Sequence, residues 1–130
     1  MLFIFLSSFF ACDPIVACDE MAVYSVNLEI LDESGSPLTD AEITYTVDGE
    51  EGQVVESWGD GTYMVGIEEA GDFEISIRVQ MQDPDDGCCW KEGSADLSLA
   101  IESDECHVIP QSLTPELDWV EACVELEECG

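Results

Sequence analysis

Phe73, Ile75, Ile77 and Val79 alternate with Glu74, Ser76 and Arg78. Successive side chains of a strand point to opposite faces, so this run writes one apolar face and one polar face. On a helix the same residues would scatter around the circumference. A chain holding such a run must place it in a sheet with one side buried. The same period of two recurs in Val26, Leu28 and Ile30, in Ala41, Ile43, Tyr45 and Val47, in Tyr63, Val65 and Ile67, and in Leu97, Leu99 and Ile101. Shorter runs lie at Val54, Val55 and Trp58 and through Val108. Between them stand "DESGSPLTD", "DG", "GDGTY" and "EEAGD", with glycines suited to positive φ and Pro37 with its fixed φ. Short strands punctuated this regularly are the pattern of a β-sandwich.

The reading is therefore all-β: an Ig-like antiparallel sandwich of about seven strands. A chain of 130 residues is one domain by length and can bury a core of its own. Two stretches break the rhythm. "QDPDDGCCWKEGS" reads as a loop, with Pro84, Gly87, Gly93 and clustered acids. Beyond it, Thr114 before Pro115 resembles a helix start, and Leu117, Val120 and Val124 keep helical spacing. Val120, Ala122, Val124 and Leu126 also alternate as a strand would. We expect a short helix or irregular tail there, held by Cys123 and Cys129.

Charge excludes some partners. The chain carries 31 acidic residues against Arg78 and Lys91, a formal charge of −29. Nucleic acid is not expected as a partner, because phosphate binding needs basic residues to displace counterions. An electrostatic grip on anionic lipid fails for the same reason. With 46% hydrophobic residues the chain is not a disordered acidic tail, and the acids read as a solvated surface.

Residues 1–11, "MLFIFLSSFFA", carry no charge and fall short of the roughly 20 residues a spanning helix needs. They have the length and apolarity of a signal-peptide core. The run ends in Ala11-Cys12 and resembles a bacterial lipoprotein lipobox, although Phe9 and Phe10 are bulky where small residues are usual. Cysteine parity points the same way. There are seven cysteines, and removing Cys12 leaves Cys18, Cys88, Cys89, Cys106, Cys123 and Cys129, an even set that three disulfides can consume in an exported chain. Lipidation of Cys12 is the expectation, with two or more acyl chains giving a stable membrane anchor. The alternative is a free thiol in a discarded leader.

"DESGSPLTDAEITYTVDG" and "GDGTYMVGIEEAGDFEISIRV" together resemble the carboxypeptidase regulatory-like domain, a transthyretin-like sandwich. The matching residues are Gly35, Pro37, Leu38, Ala41, Ile43, Gly61, Tyr63, Ala70, Gly71, Phe73 and Ile75. "DECHVIPQSL" resembles the end of bacterial secreted versions, and that likeness implies a Cys18–Cys106 bridge tying the first strand to the last. Cys88 and Cys89 are then left to pair, each with one of Cys123 and Cys129, since adjacent cysteines rarely bridge each other. The resemblance implies a sandwich over 20–113. The lipobox-like run adds a signal peptide over 1–11 and a tether over 12–19, and the acidic, cysteine-containing tail over 114–130 has no counterpart in the family.

No catalytic motif stands out, so an enzyme is not expected. His107, the lone histidine, reads as a structural residue in a strand. A zinc site from Cys88, Cys89, Cys106 and His107 lacks ligand spacing. Calcium is the sharper rival: Asp83, Asp85 and Asp86 place three carboxylates in one loop, although the EF-hand spacing is absent. Among the tryptophans, Trp58 and Trp119 read as core or core-edge residues, and Trp90 as the exposed one in a binding loop. The functional expectation is a non-enzymatic, lipid-anchored binding or structural module of the bacterial envelope, with an unidentified protein or glycan partner and no cofactor. A calcium-dependent binding module is the alternative.

Overall fold

The structure is a computed structural model that describes residues 21–83, 85 and 87–124. Nine strands run through them in chain order: β1 (Tyr24–Glu29), β2 (Glu42–Val47), β3 (Glu50–Glu51), β4 (Val55–Ser57), β5 (Thr62–Ile67), β6 (Gly71–Gln82), β7 (Cys89–Ile101), β8 (Gln111–Leu113) and β9 (Asp118–Cys123). They form two sheets, β4-β5-β1-β8 and β3-β2-β6-β7-β9, packed as a sandwich. The all-β sandwich expected from the period-two runs is the fold found. The alternating apolar faces meet between the sheets. Val26, Leu28, Tyr63 and Val65 come from one sheet, and Ile43, Tyr45, Phe73, Ile75, Ile77 and Val79 from the other, all buried. Tyr45 stacks on Phe73 with ring centroids 5.6 Å apart.

Polar atoms inside this core have partners. The Tyr63 hydroxyl donates to the Leu38 carbonyl at 2.8 Å and accepts from the Ala41 amide at 2.9 Å. It thereby fixes the stretch that leads from the first sheet into β2. Ser25, fully buried, donates to the Glu69 carbonyl and accepts from the Glu69 amide. The turn before β5 needs glycine. Gly61 has φ +91°, and a Cβ there would lie 2.6 Å from Pro37 Cβ.

Four expectations change. First, the sandwich is not wholly antiparallel, because β8 runs parallel to β1, with Val26 opposite Gln111 and Leu28 opposite Leu113. The chain reaches β8 from β7 in the other sheet, so no tight hairpin dictates its direction. Second, Val108 makes only an isolated bridge with Ser103, and His107 sits in the turn between them rather than in a strand. Third, most of the expected loop "QDPDDGCCWKEGS" is strand. β6 and β7 pair continuously from Gly71–Ile101 to Gln82–Trp90. Gly93 is no break there: it lies opposite Trp119, and the indole ring occupies the place of its missing side chain.

Fourth, the tail after Pro115 is strand β9, antiparallel to β7, and not a helix. Leu117 is buried and Trp119 packs against the core. Helical capping by Thr114 and Pro115 is overridden because the open edge of β7 supplies a ladder, and because Cys89 and Cys123 stand directly opposite each other. The Val124 amide donates to the Cys88 carbonyl at 2.9 Å, so Cys88–Val124 is a hydrogen-bonded pair. Cys89–Cys123 is therefore a non-hydrogen-bonded pair, where opposed Cα atoms come closest, here 4.0 Å.

Deleting the Tyr63 hydroxyl tests the buried network. Tyr63→Phe keeps the ring and strands the Leu38 carbonyl and Ala41 amide, and should cost about 1–3 kcal/mol in urea unfolding of the oxidised protein. Replacing both Cys89 and Cys123 by alanine, which opens a crosslink of sequence separation 34, should cost roughly 2–4 kcal/mol on the same assay.

Candidate functional site

Asp83, Asp85 and the turn after β1 flank a cleft of about 550 Å³. It is lined by Asp32, Glu33, Asp83, Asp85, Lys91 and Glu121, among others. Most of its polar groups already serve the fold. The Asp32 carboxylate accepts from the Ser34 and Ser36 amides, both at 2.9 Å, and from the Ser34 hydroxyl at 2.8 Å. The Ser36 amide first, then the Ser34 hydroxyl, hold its pKa below the usual aspartate value. Asp83 accepts from the Asp85 amide at 2.8 Å, a local turn bond. Lys91 donates to Glu33 at 2.8 Å, and that bond raises the lysine's pKa.

Two of the three carboxylates expected for calcium, Asp83 and Asp85, are thus brought to this cleft, while Asp86 lies outside the described residues. Among the described residues no group of three or more His, Cys, Asp or Glu is arranged to hold a metal ion. Trp90 is not in a loop. It is half-buried in β7, and its indole Nε1 donates to Glu92 at 2.8 Å. The exposed tryptophan is Trp58, at 57% exposure on the tight β4–β5 connection, opposite to the expectation for both. Local sequence points the wrong way for both, because Trp58 comes shortly after the apolar pair Val54-Val55 and Trp90 shortly after the acid- and glycine-containing stretch Asp83 to Gly87.

A second polar centre joins three segments. Glu68, at φ +51°, follows β5. One of its carboxylate oxygens accepts from the Val23 amide at 3.0 Å and pairs with His107 Nδ1, and the other accepts from the Val108 amide at 3.1 Å. Asp104 in turn accepts from the Cys106 and His107 amides, both at 2.8 Å. His107 therefore holds the Ser103–Val108 turn against the sandwich. The His107 bond, ahead of the Val108 and Val23 amides, lowers the pKa of Glu68, and the turn amides lower that of Asp104.

All four described cysteines are in disulfides. Cys89 bridges Cys123, in accord with the pairing expected for that half of the set. Cys88 and Cys106 are disulfide-bonded as well. Cys12, Cys18 and Cys129 lie outside the described residues, and with them the expected lipid attachment, the Cys18–Cys106 bridge and any bridge to Cys129. The feature that sequence reasoning passed over is β9 as an edge strand. Its signal was present in the alternation of Val120, Ala122 and Val124, in competition with the helix start at Pro115.

Comparison with family models, with curated proteins and with solved structures found no match to this chain. Its functional reading therefore rests on its own residues.

The Glu68 centre has a pH signature. A carboxylate whose folded pKa is depressed adds stability that is complete above its unfolded pKa and lost as pH falls through the folded one. Glu68→Gln should melt below the parent protein at pH 7, and the gap should close as the pH is lowered past about 4. Thermal melts of both proteins from pH 7 to pH 3 check this, and a gap independent of pH would contradict it.

Proposed function

We propose that the chain is a non-enzymatic binding or structural module of a bacterial envelope, exported from the cytoplasm and held to the membrane by lipid on Cys12. One observation carries the export: all four described cysteines are paired in disulfides. Such bonds persist in oxidising compartments and are rare where thiol reductants act. Seven cysteines cannot all pair within one chain, and Cys12 is the one that follows an apolar leader-like run. The lipobox-like run before it supplies the chemistry of attachment.

The rigid sandwich suits a module that presents surfaces rather than one that transforms a substrate. The carboxylates of Asp32, Asp83, Glu68 and Asp104 are engaged by backbone amides, and His107 by Glu68. Within all-β sandwiches we assign the domain to the carboxypeptidase regulatory-like kind, on the turn and strand residues from Gly35 to Ile75. The high negative charge keeps such a module soluble and dispersed beside a membrane of like charge, with the anchor supplying what electrostatics cannot.

Intact mass of the protein taken from membranes, before and after reduction, tests both parts together. The expected result is a chain beginning at Cys12 and bearing acyl groups, which gains six hydrogens on reduction, one for each remaining cysteine. An unacylated mass would remove the anchor. A mass unchanged by reduction would remove the oxidising compartment.

A further inference from the structure

β9 ends the five-stranded sheet, and among the described residues no strand pairs with its outer edge. Antiparallel ladders alternate, so each strand residue bonds to one side only. The Val124–Cys88 bond sets the phase. Asp118, Val120 and Ala122 bond inward to Ser94, Glu92 and Trp90 of β7, and the backbone groups of Trp119, Glu121 and Cys123 point outward along the open edge. This edge is six residues long, against two for β3 at the opposite side of the same sheet and three each for β4 and β8. Most proteins shorten or cover such an edge. Here the Cys89–Cys123 disulfide holds it in place.

The side chains on this edge are unusual for an exposed strand. Val120 is 64% exposed and Val124 37%. Ala122 and half-buried Trp90 lie beside them on the same outer face. A shallow depression of about 640 Å³ leads away from Val120 past Glu92 and Gln80 to Glu42 and Arg78, whose guanidinium is tied to Asp96 at 3.4 Å. The other face of the strand presents Glu121 at the rim of the acidic cleft with Asp32, Asp83 and Asp85. The outer face thus presents an apolar run of Val120, Ala122 and Val124, and the other face presents Glu121 beside the acidic cleft.

We propose that the β9 edge is a docking site for an extended, cationic segment of a partner protein, which adds to the five-stranded sheet as a further strand. Backbone bonds to Trp119, Glu121 and Cys123 would give the affinity, and side-chain alternation the selectivity. Apolar residues of the segment would lie against Val120 and Ala122, and lysine or arginine against Glu121, as favourable cross-strand pairs require. Charge decides between occupants. A second copy of this chain also carries −29 and is repelled, whereas a basic strand is attracted. The inference rests on reading the chain as a binding module and not on its lipid anchor, so failure here leaves the mass measurement's answer standing.

The test uses the full oxidised chain and a synthetic peptide of alternating lysine and valine. Two controls accompany it: an alternating glutamate and valine peptide, and the lysine–valine peptide with a central proline. The lysine–valine peptide should bind, and amide exchange should slow at Glu121 and Cys123 while the outer edges of β3, β4 and β8 stay unchanged. Glu121→Pro removes an outward N–H and no rung to β7, and should weaken binding at least about tenfold. Glu121→Lys leaves the backbone intact and should weaken the lysine–valine peptide while improving the glutamate–valine one. The proposal is overturned if the proline peptide binds equally well, if Glu121→Lys changes neither peptide, if protection spreads over the acidic surface generally, or if no binding occurs at millimolar peptide.

Discussion

The packing of the β6 stripe against the first sheet is what the rest of the molecule depends on. Phe73, Ile75, Ile77 and Val79 are all but fully buried, and β6 lies in the middle of its sheet with β2 on one side and β7 on the other. Each such side chain contributes about 1.5–3 kcal/mol when removed from water. Phe73 also supports the Tyr45 ring, whose hydroxyl reaches Glu69 and the Val54 amide. That reach ties β2 to the β5–β6 connection and to the approach to β4. Burial of the ring and the Glu69 bond raise the Tyr45 pKa, so the hydroxyl stays protonated and can donate.

A chain with charge −29 folds only if its carboxylates can be kept apart from that core and from one another. Strand alternation achieves the first, since Glu42, Glu74 and Asp96 face outward where Ile43, Ile75 and Ala95 face in. Turns achieve part of the second. Asp32 and Asp104 accept from backbone amides, Glu68 bonds His107 and then the Val108 and Val23 amides, and each carboxylate has a lowered pKa as a result. The two basic residues, Arg78 and Lys91, are paired with Asp96 and Glu33. What remains is a surface of one sign, interrupted on the β9 face by Val120, Ala122 and Trp90.

The elements that were legible share one property: their apolar period and their turn residues agree. β1, β2, β5 and β6 each have both, and each lies where the alternation placed it. The misread elements are those where local signals compete with a partner distant in sequence. Turn-forming residues after Gln82 hid the start of β7, because the ladder to β6 and the Trp119 ring over Gly93 are long-range. Thr114 and Pro115 suggested a helix, because nothing near them in the chain announces the open edge of β7. Trp58 and Trp90 exchanged their expected exposures for the same reason.

By itself the sequence determined the fold class, the buried faces and the charge, since period-two patterning and turn chemistry act over a few residues. It also determined that the seven cysteines cannot all pair within one chain. Only the tertiary structure decided which strands are neighbours. It set β8 parallel to β1, laid β9 against β7, and brought Cys89 opposite Cys123 and Glu68 against His107. Those choices depend on which edges remain open once the β6 stripe is buried, and no local pattern encodes that.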